Sequence, residues 1–388
     1  MNTYHWFRLL SIRQRIVLFV TIIICSVIVL VGFLIHKPPQ NHKQIDVNAF
    51  MSIRQIAPKL GVTGKSLARE LNLSIDVSKD QPLVELDITD KELTLVVEHI
   101  LSHVESFAAY YIFFVLVLMG FVYMNILGQP DLSDIKSRKG WYPRFPYIAT
   151  LIISVLVAGF YFGKSPNPME GIVKVFKSMV GLYPDPAAKV IAFVFFMALA
   201  IVGNKLICGW ACPFGSLQEL IYSIPILRRI KKHKLPFVLT NTIRSIIFVM
   251  TMLMFFGFIG GHKGLVIYHY LNPFNLFDLN FESMSILVTV ILALVGSIFV
   301  YRPFCRIVCP FGFISWIFER LSLTRVHVDK DKCTKCGACI KICPLDAAEG
   351  RVYGKKMPED CFSCARCLNV CPMDAIRYKS SLSGKKKA

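Results

Sequence analysis

Twelve of the thirteen cysteines in this chain fall into four short repeated patterns, and the eight nearest the C-terminus leave that region little freedom in how it folds. They read Cys333-x2-Cys336-x2-Cys339-x3-Cys343-Pro344 and Cys361-x2-Cys364-x2-Cys367-x3-Cys371-Pro372. Each [4Fe-4S] cube needs four thiolates at its corners. Three closely spaced cysteines wrap one side, and a Cys-Pro held on the following helix closes the cube of the other run. The expected ligand sets are therefore Cys333, Cys336, Cys339 and Cys371 for the first cluster, and Cys361, Cys364, Cys367 and Cys343 for the second. Zinc is served by four ligands and leaves a duplicated run of eight unexplained.

The rest of the chain is apolar. Of 388 residues 54% are hydrophobic, concentrated in long uncharged runs at about 16–35, 107–127, 147–163, 187–207, 239–260 and 284–301. A helix crosses a hydrocarbon core of about 30 Å with about 20 apolar residues, so these runs predict six spans. The fifth carries Arg244 near its start, a position from which a long side chain snorkels to the interface. The first run is too long for the apolar part of a signal peptide and is expected to stay as an anchor. Lys136, Arg138, Lys139 and Arg144 follow the second span, and Arg228, Arg229, Lys231, Lys232 and Lys234 follow the fourth. The positive-inside rule then puts both termini and the cysteine-rich tail in the cytoplasm, the compartment in which thiols stay reduced. The net charge of +19 needs no nucleic acid: much of it is topology signal, and Lys385–Lys387 suits anionic membrane lipid.

Two further motifs share one form. Cys208-Gly209-Trp210-Ala211-Cys212-Pro213-Phe214-Gly215 follows the fourth span, and Cys305-Arg306-Ile307-Val308-Cys309-Pro310-Phe311-Gly312 follows the sixth. Both are C-x3-C-P-F-G, expected just past a membrane exit on the cytoplasmic face, and each leads into an amphipathic stretch. Proline breaks the span and glycine permits a tight turn, so each copy presents two sulfurs. Three readings stand side by side for Cys208, Cys212, Cys305 and Cys309: a third metal centre, redox-active thiols or a transient Cu(I) site, and buried cysteines that only pack.

With these residues on the page, the region 147–379 resembles the NapH/MauN-type membrane-bound ferredoxin-like proteins, whose core is shared by the NosR-type regulators. The resemblance implies a four-helix membrane core joined to a two-cluster bacterial ferredoxin, exchanging electrons with the quinone pool or a redox partner protein. The cysteine architecture is also similar to that of the CcoG-type assembly proteins associated with copper handling. Those carry a folded domain beyond the ferredoxin, where this sequence runs into its lysine tail, so the first branch is the expectation. The fold class expected is a mainly α-helical polytopic membrane protein with a C-terminal α+β ferredoxin domain, in the bacterial inner membrane. Its parts are an anchor (1–35), an extracytoplasmic helical module (36–106), a second span and loop (107–146), the membrane core (147–320), the ferredoxin (321–379) and a basic tail (380–388).

In the module, Ile53, Ile56, Ala57, Leu60, Leu67 and Leu71 have helical spacing, punctuated by Gly61 and Gly64 into a helix–turn–helix-like unit. Gly64-Lys65-Ser66 is not a phosphate-binding loop, since no glycine lies five positions before Gly64. His99 and His103 stand four apart, and His262 and His269 lie in the loop after the fifth span; all four are weak ligand candidates. The function expected is iron-sulfur electron transfer as part of an oxidoreductase, with no catalytic residue assigned. The alternative is a copper reductase or an assembly factor using the Cys208/Cys212/Cys305/Cys309 set. With every patterned cysteine at the cytoplasmic side, a mobile quinone or a partner has to carry electrons any farther.

Overall fold

The structure, a computed structural model, describes residues 47–380 apart from 61–63, 72, 74–76, 103–106, 129–144, 164–166, 180–185, 225–233, 260–265, 280, 282 and 355–359. The first expected span, the basic tail, His103 and His262 fall outside the described residues, as does the side chain of His99.

Helices α1 (Ile53–Lys59), α2 (Gly64–Glu70) and α3 (Asp90–Ser102) form a small module. The helical spacing is borne out: Ile53, Ile56, Ala57, Leu67 and Leu71 are buried, together with Leu83 and Leu93. Thr89 starts α3 with a reciprocal cap, its Oγ1 accepting the Glu92 N–H at 3.3 Å while the Glu92 carboxylate accepts the Thr89 N–H at 3.1 Å. Such a box satisfies two of the donors that a helix start leaves unpaired.

The apolar part comprises α4 (Phe107–Leu127), α5 (Phe145–Tyr161, π-helical from Ser154), α6 (Pro168–Met179), α7 (Pro186–Gly203), α8 (Pro213–Tyr222), α9 (Phe237–Phe255), α10 (Ile267–Tyr270), α11 (Met284–Phe299), α12 (Pro303–Ile307) and α13 (Pro310–Phe318). Among the described residues two helices are long and apolar enough to cross a membrane, Tyr110–Leu127 within α4 and Phe237–Phe255; α5, Lys189–Gly203 within α7 and α11 are shorter apolar helices. The fourth and sixth expected spans are thus helical but shorter than drawn, and the third is helical at the expected length, begun two residues earlier.

The chain then turns into a two-stranded antiparallel sheet, β1 (Thr324–Val328) paired with β2 (Ile376–Ser380), Val326 opposite Tyr378. Between the strands lie three short helices, α14 (Ala338–Ile342), α15 (Ala347–Tyr353) and α16 (Arg366–Val370). This small α+β unit sits on the end of α7, and the reason is chemical. The last carbonyls of a helix have no partner within it. Here Ile201 O accepts Ser322 Oγ at 2.8 Å, Gly203 O accepts Tyr378 Oη at 2.9 Å and Asn204 O accepts Ser363 Oγ at 2.8 Å, while Val202 O accepts Thr324 Oγ1. The C-terminal unit is the cap of the helix.

Arg244 corrects the sequence reading. It does not snorkel outward but is fully buried, with Nη1 3.1 Å from Asp360 of the C-terminal unit. A charge in an apolar surrounding is tolerated when it finds an opposite charge, and Asp360 is closer than water.

Candidate iron-sulfur centres

The two C-terminal cysteine runs fold as duplicates. In each, the residue before the second cysteine and the residue after it have positive φ: Lys335 (53°) and Gly337 (75°), Ser363 (48°) and Ala365 (63°). Two left-handed residues bend the backbone around a point, so three sulfurs face inward. The short helices α14 and α16 follow, and each run's fourth cysteine is carried across to the other site. One cavity is lined by Cys333, Cys336, Cys339 and Cys371. A second is lined by Cys343, Cys361, Cys364 and Cys367, with Cys339 at its edge. None of the twelve described cysteines forms a disulfide.

Burial pushes the Cys343 thiol up to about 11, reinforced by Cys364 and Cys361 beside it. Burial likewise raises Cys339, Cys364 and Cys367. Four crowded, desolvated thiols ionise together only when a cation takes the place of their protons. Among the described residues, no three His, Cys, Asp or Glu side chains are spaced to hold a single metal ion. The donor set, eight cysteines in two runs that each send one member to the other site, is the one a pair of cubes takes.

The two cavities differ in surroundings. Cys336 is exposed, so the first opens to solvent. The second lies against the membrane helices, and Arg351 donates from Nη1 to Cys361 Sγ at 3.1 Å.

Cys208, Cys212, Cys305 and Cys309 are also brought together. Cys208 lies within electrostatic range of the other three, and Cys212 and Cys309 face Cys305 and each other. The first motif packs along α5. Tyr147 near the start of α5 donates to Gly209 O at 3.2 Å, Ser154 farther along donates to Ala211 O at 2.8 Å, and a Cβ on Gly159 would stand 3.1 Å from Pro213.

Cys212 and Cys309 occupy the N-cap positions of α8 and α13. Cys309 Sγ accepts the Gly312 N–H at 3.4 Å. The positive end of a helix favours an anion at its cap, and here two helix ends point at one group of sulfurs. Gln218 adds a donor, Nε2 to Cys305 Sγ at 3.3 Å, while its Oε1 accepts Phe304 N–H at 3.1 Å. The glycines are demanded by space: a Cβ on Gly215 would lie 2.9 Å from Cys208 O, and one on Gly312 2.5 Å from Cys305 O.

Charged residues missing from the sequence reading join the centres. Glu219 is fully buried between Arg302, whose Nε stands 3.0 Å from Oε2, and Arg366, whose Nη2 reaches Oε1. Arg302 also donates to the carbonyls of Cys208 and Gly209. Lys205 pairs with Asp360 and lies 3.7 Å from Glu319. Among the described residues, Lys205, Arg244, Arg302, Arg306 and Arg366 are buried here with three buried carboxylates, Glu219, Glu319 and Asp360. An uncompensated buried cation is costly, and the two left over sit where anionic clusters would balance them. The signal was in the sequence: a base stands three residues before each motif, Lys205 before Cys208 and Arg302 before Cys305, each with positive φ. His269, by contrast, pairs with Lys177 and not with a sulfur set.

Comparison with known proteins agrees with this chemistry. A family model described as a 4Fe-4S binding domain matches residues 187–234 and 283–328, each match containing one C-x3-C-P-F-G motif. Two more models of that description match 326–349 and 358–374. An uncharacterized protein of Methanocaldococcus jannaschii is 28% identical over 196 residues, 50% of this chain and 69% of that protein. A putative electron transport protein of Escherichia coli, YccM, is 29% identical over 188 residues, 46% of this chain and 52% of its own; the match spans about half that relative's length. The ferredoxin-type protein NapH of Haemophilus influenzae is 27% identical over 258 residues, 59% of this chain and 86% of that one. No solved structure matches.

Proposed function

Because the chain belongs to the 4Fe-4S ferredoxin-type family of NapH, MauN and the NosR regulators, we propose that it is a membrane-bound relay passing electrons between the quinone pool and a redox partner. Its first cluster would be held by Cys333, Cys336, Cys339 and Cys371, its second by Cys361, Cys364, Cys367 and Cys343, and a third centre by Cys208, Cys212, Cys305 and Cys309. The observation that carries the proposal is the continuity of the three sulfur sets. Phe362, between Cys361 and Ser363, packs against Gly209, and Trp210 donates to Ser363 O at 2.9 Å. The second and third sets are joined by packed side chains with no gap for a mobile domain.

The chain's own groups define the order. The solvent-open first site suits exchange with a soluble partner, Arg351 and the buried cations favour the electron at the second, and the helix ends and Gln218 hold the quartet. The clusters would supply one-electron reduction and oxidation; a quinol gives up its two electrons in two such steps, releasing two protons to water, and the partner takes the electrons, with the reverse balance when quinone is reduced. For the quartet, the description of the matching family model favours a cluster over copper or packing thiols. The proposal includes six spans, cytoplasmic termini and the division into anchor, helical module, membrane core and ferredoxin, supported by the apolar runs and the charge of the loops.

The test is anaerobic iron and sulfide quantification with EPR, comparing the natural chain with one in which Cys208, Cys212, Cys305 and Cys309 are all Ser. Iron beyond two cubes, lost selectively in the variant, is the expected outcome. Two cubes in both proteins would remove the third centre.

A further inference from the structure

The two halves of the C-terminal unit repeat each other in backbone, but their outer surfaces are used differently. In the second run, Phe362 and Ser363 fill the two positions between Cys361 and Cys364, and both are buried. Phe362 packs on Gly209, and Ser363 Oγ donates to Asn204 O at 2.8 Å. Pro344 and Leu345 follow Cys343 at the same site and are buried as well, with Lys234 Nζ donating to Leu345 O at 3.4 Å. The apolar helices and their loops thus cover this face of the second site.

At the first site the equivalent positions are bare. Thr334 and Lys335 stand between Cys333 and Cys336, Pro372 and Met373 follow Cys371, and all four are exposed. They line the same cavity as Cys333, Cys336, Cys339 and Cys371. The backbone does not account for the difference, since Lys335 (φ 53°) matches Ser363 (48°). The side chains do. A serine hydroxyl is buried cheaply once a carbonyl accepts its hydrogen, whereas an ammonium group needs water or an anion. The charge on the bare face is also one-sided. Lys330, Lys332, Lys335 and Lys341 are exposed on the stretch that carries Cys333, Cys336 and Cys339, with Asp331 as its exposed carboxylate. Asp329 is half-buried and its Oδ1 accepts the Asp331 N–H at 3.2 Å, and Asp374 beside Met373 is half-buried.

We propose that this face is the docking surface for an acidic one-electron carrier protein, with Lys330, Lys332, Lys335 and Lys341 as its charged rim and Pro372 and Met373 as its apolar centre. The inference rests on the first cluster of the proposed function and gives the redox partner a chemistry. An apolar middle inside a polar rim is the anatomy of a protein interface, and charges of one sign speed the approach of an oppositely charged protein by roughly 10- to 1,000-fold. Anionic lipid would satisfy the lysines equally, but it takes no electron, whereas the exposed Cys336 brings a ligand of the cluster to the surface at the same place. Each encounter moves one electron between the cluster and the carrier's own centre. No atom is transferred, and the two potentials set the direction.

The test uses the full-length protein in nanodiscs of zwitterionic lipid, comparing the natural chain with the Lys330→Gln/Lys332→Gln/Lys335→Gln/Lys341→Gln variant. Both are reduced anaerobically and mixed by stopped flow with oxidised plastocyanin, an acidic blue-copper protein, or with oxidised cytochrome c, a basic haem protein. At an ionic strength of about 0.01 M, where charges act over about 30 Å, the natural chain should reduce plastocyanin at least about tenfold faster than the variant. That gap should close near 1 M salt, where the range falls to about 3 Å. Cytochrome c should show the opposite order, and arginine at the four positions should restore the natural order with both probes. Equal plastocyanin rates for the two chains, or slower reaction of the variant with both probes, would overturn the docking surface. So would a difference between the chains that appears only in discs of anionic lipid, which would assign the lysines to headgroups. If the natural chain shows no first-cluster EPR signal, the cluster reading falls too; with that signal present, only the docking surface is at stake.

Discussion

Replacing Arg351 with Gln should lower the reduction potential of the second cluster, and the structure sets the size of the effect. Arg351 Nη1 is 3.1 Å from Cys361 Sγ, so its charge lies about 6 Å from the middle of a cube bound there. At an effective dielectric of about 20, a unit charge at that distance favours an added electron by about 2.8 kcal/mol. A tenfold change in a one-electron equilibrium is 59 mV, or about 1.4 kcal/mol, so the full effect is about 120 mV. The side chain keeps 21% of its surface exposed, and water on that side screens the charge, which brings the expected fall toward about 60 mV. Glu319, 3.6 Å from Arg351 Nη2, loses that partner in the variant and pushes the potential the same way. An anaerobic EPR-monitored redox titration measures the shift, with the first cluster as internal reference. A potential that stays within about 20 mV of the natural protein, or rises, would refute the electrostatic reasoning.

Other perturbations reach different parts of the structure. Glu219→Ala strands two buried guanidinium groups and should cost about 3–5 kcal/mol, visible as a lowered unfolding temperature in detergent; an unchanged temperature would mean Arg302 and Arg366 find other partners. Gly312→Ala places a methyl group 2.5 Å from Cys305 O and should lower the iron bound by the quartet while both ferredoxin EPR signals persist; full iron content would show that the motif yields. His327 in β1 is held down to about 4 by burial and then by Arg325, Arg351 and Lys379. In the unfolded chain it titrates near 6.5, so between about 6.5 and 4 the unfolded state binds more protons, and stability is full above that window and falls as the pH drops through it. Replacing His327 with Gln should flatten the decline in pH-dependent denaturation, and an identical slope in both proteins would exclude this residue as the cause. Because burial raises the Cys343 thiol, reconstitution with iron and sulfide should proceed further at pH 8.5 than at pH 6.5 when followed by visible absorption.

The ferredoxin half was legible because its information is local. Eight cysteines and two prolines at fixed spacing specify two turns and two short helices, and the crossed sets follow from that geometry. The helical module was legible for a similar reason, since Ile53, Ile56, Leu67 and Leu71 mark one buried side. The membrane core was only partly so. A hydropathy run records that a stretch is apolar, but not that Cys212 and Cys309 stand at the N-caps of α8 and α13. Arg244 misled for the same reason: sequence proximity to a span's end suggests water as the partner, while the actual partner, Asp360, is 116 positions away along the chain. The two bases preceding the C-x3-C-P-F-G motifs were visible, yet only the fold shows Arg302 binding the carbonyls of the other copy.

Asp360 also dictates when this molecule can finish folding. Lys205 and Arg244 are inserted early in synthesis, and the carboxylate that neutralises both is 155 residues beyond the first of them. Glu319 and Arg366 complete the charge set equally late. Until the C-terminal unit has emerged and docked, the membrane core holds cations without their counter-charges, and contacts so distant in sequence form slowly. The ferredoxin thereby acts as a keystone for helices made long before it. A chain truncated ahead of Asp360 should be unstable in the membrane even though every apolar helix is present, giving the cell a built-in way to discard unfinished copies before iron is committed to them.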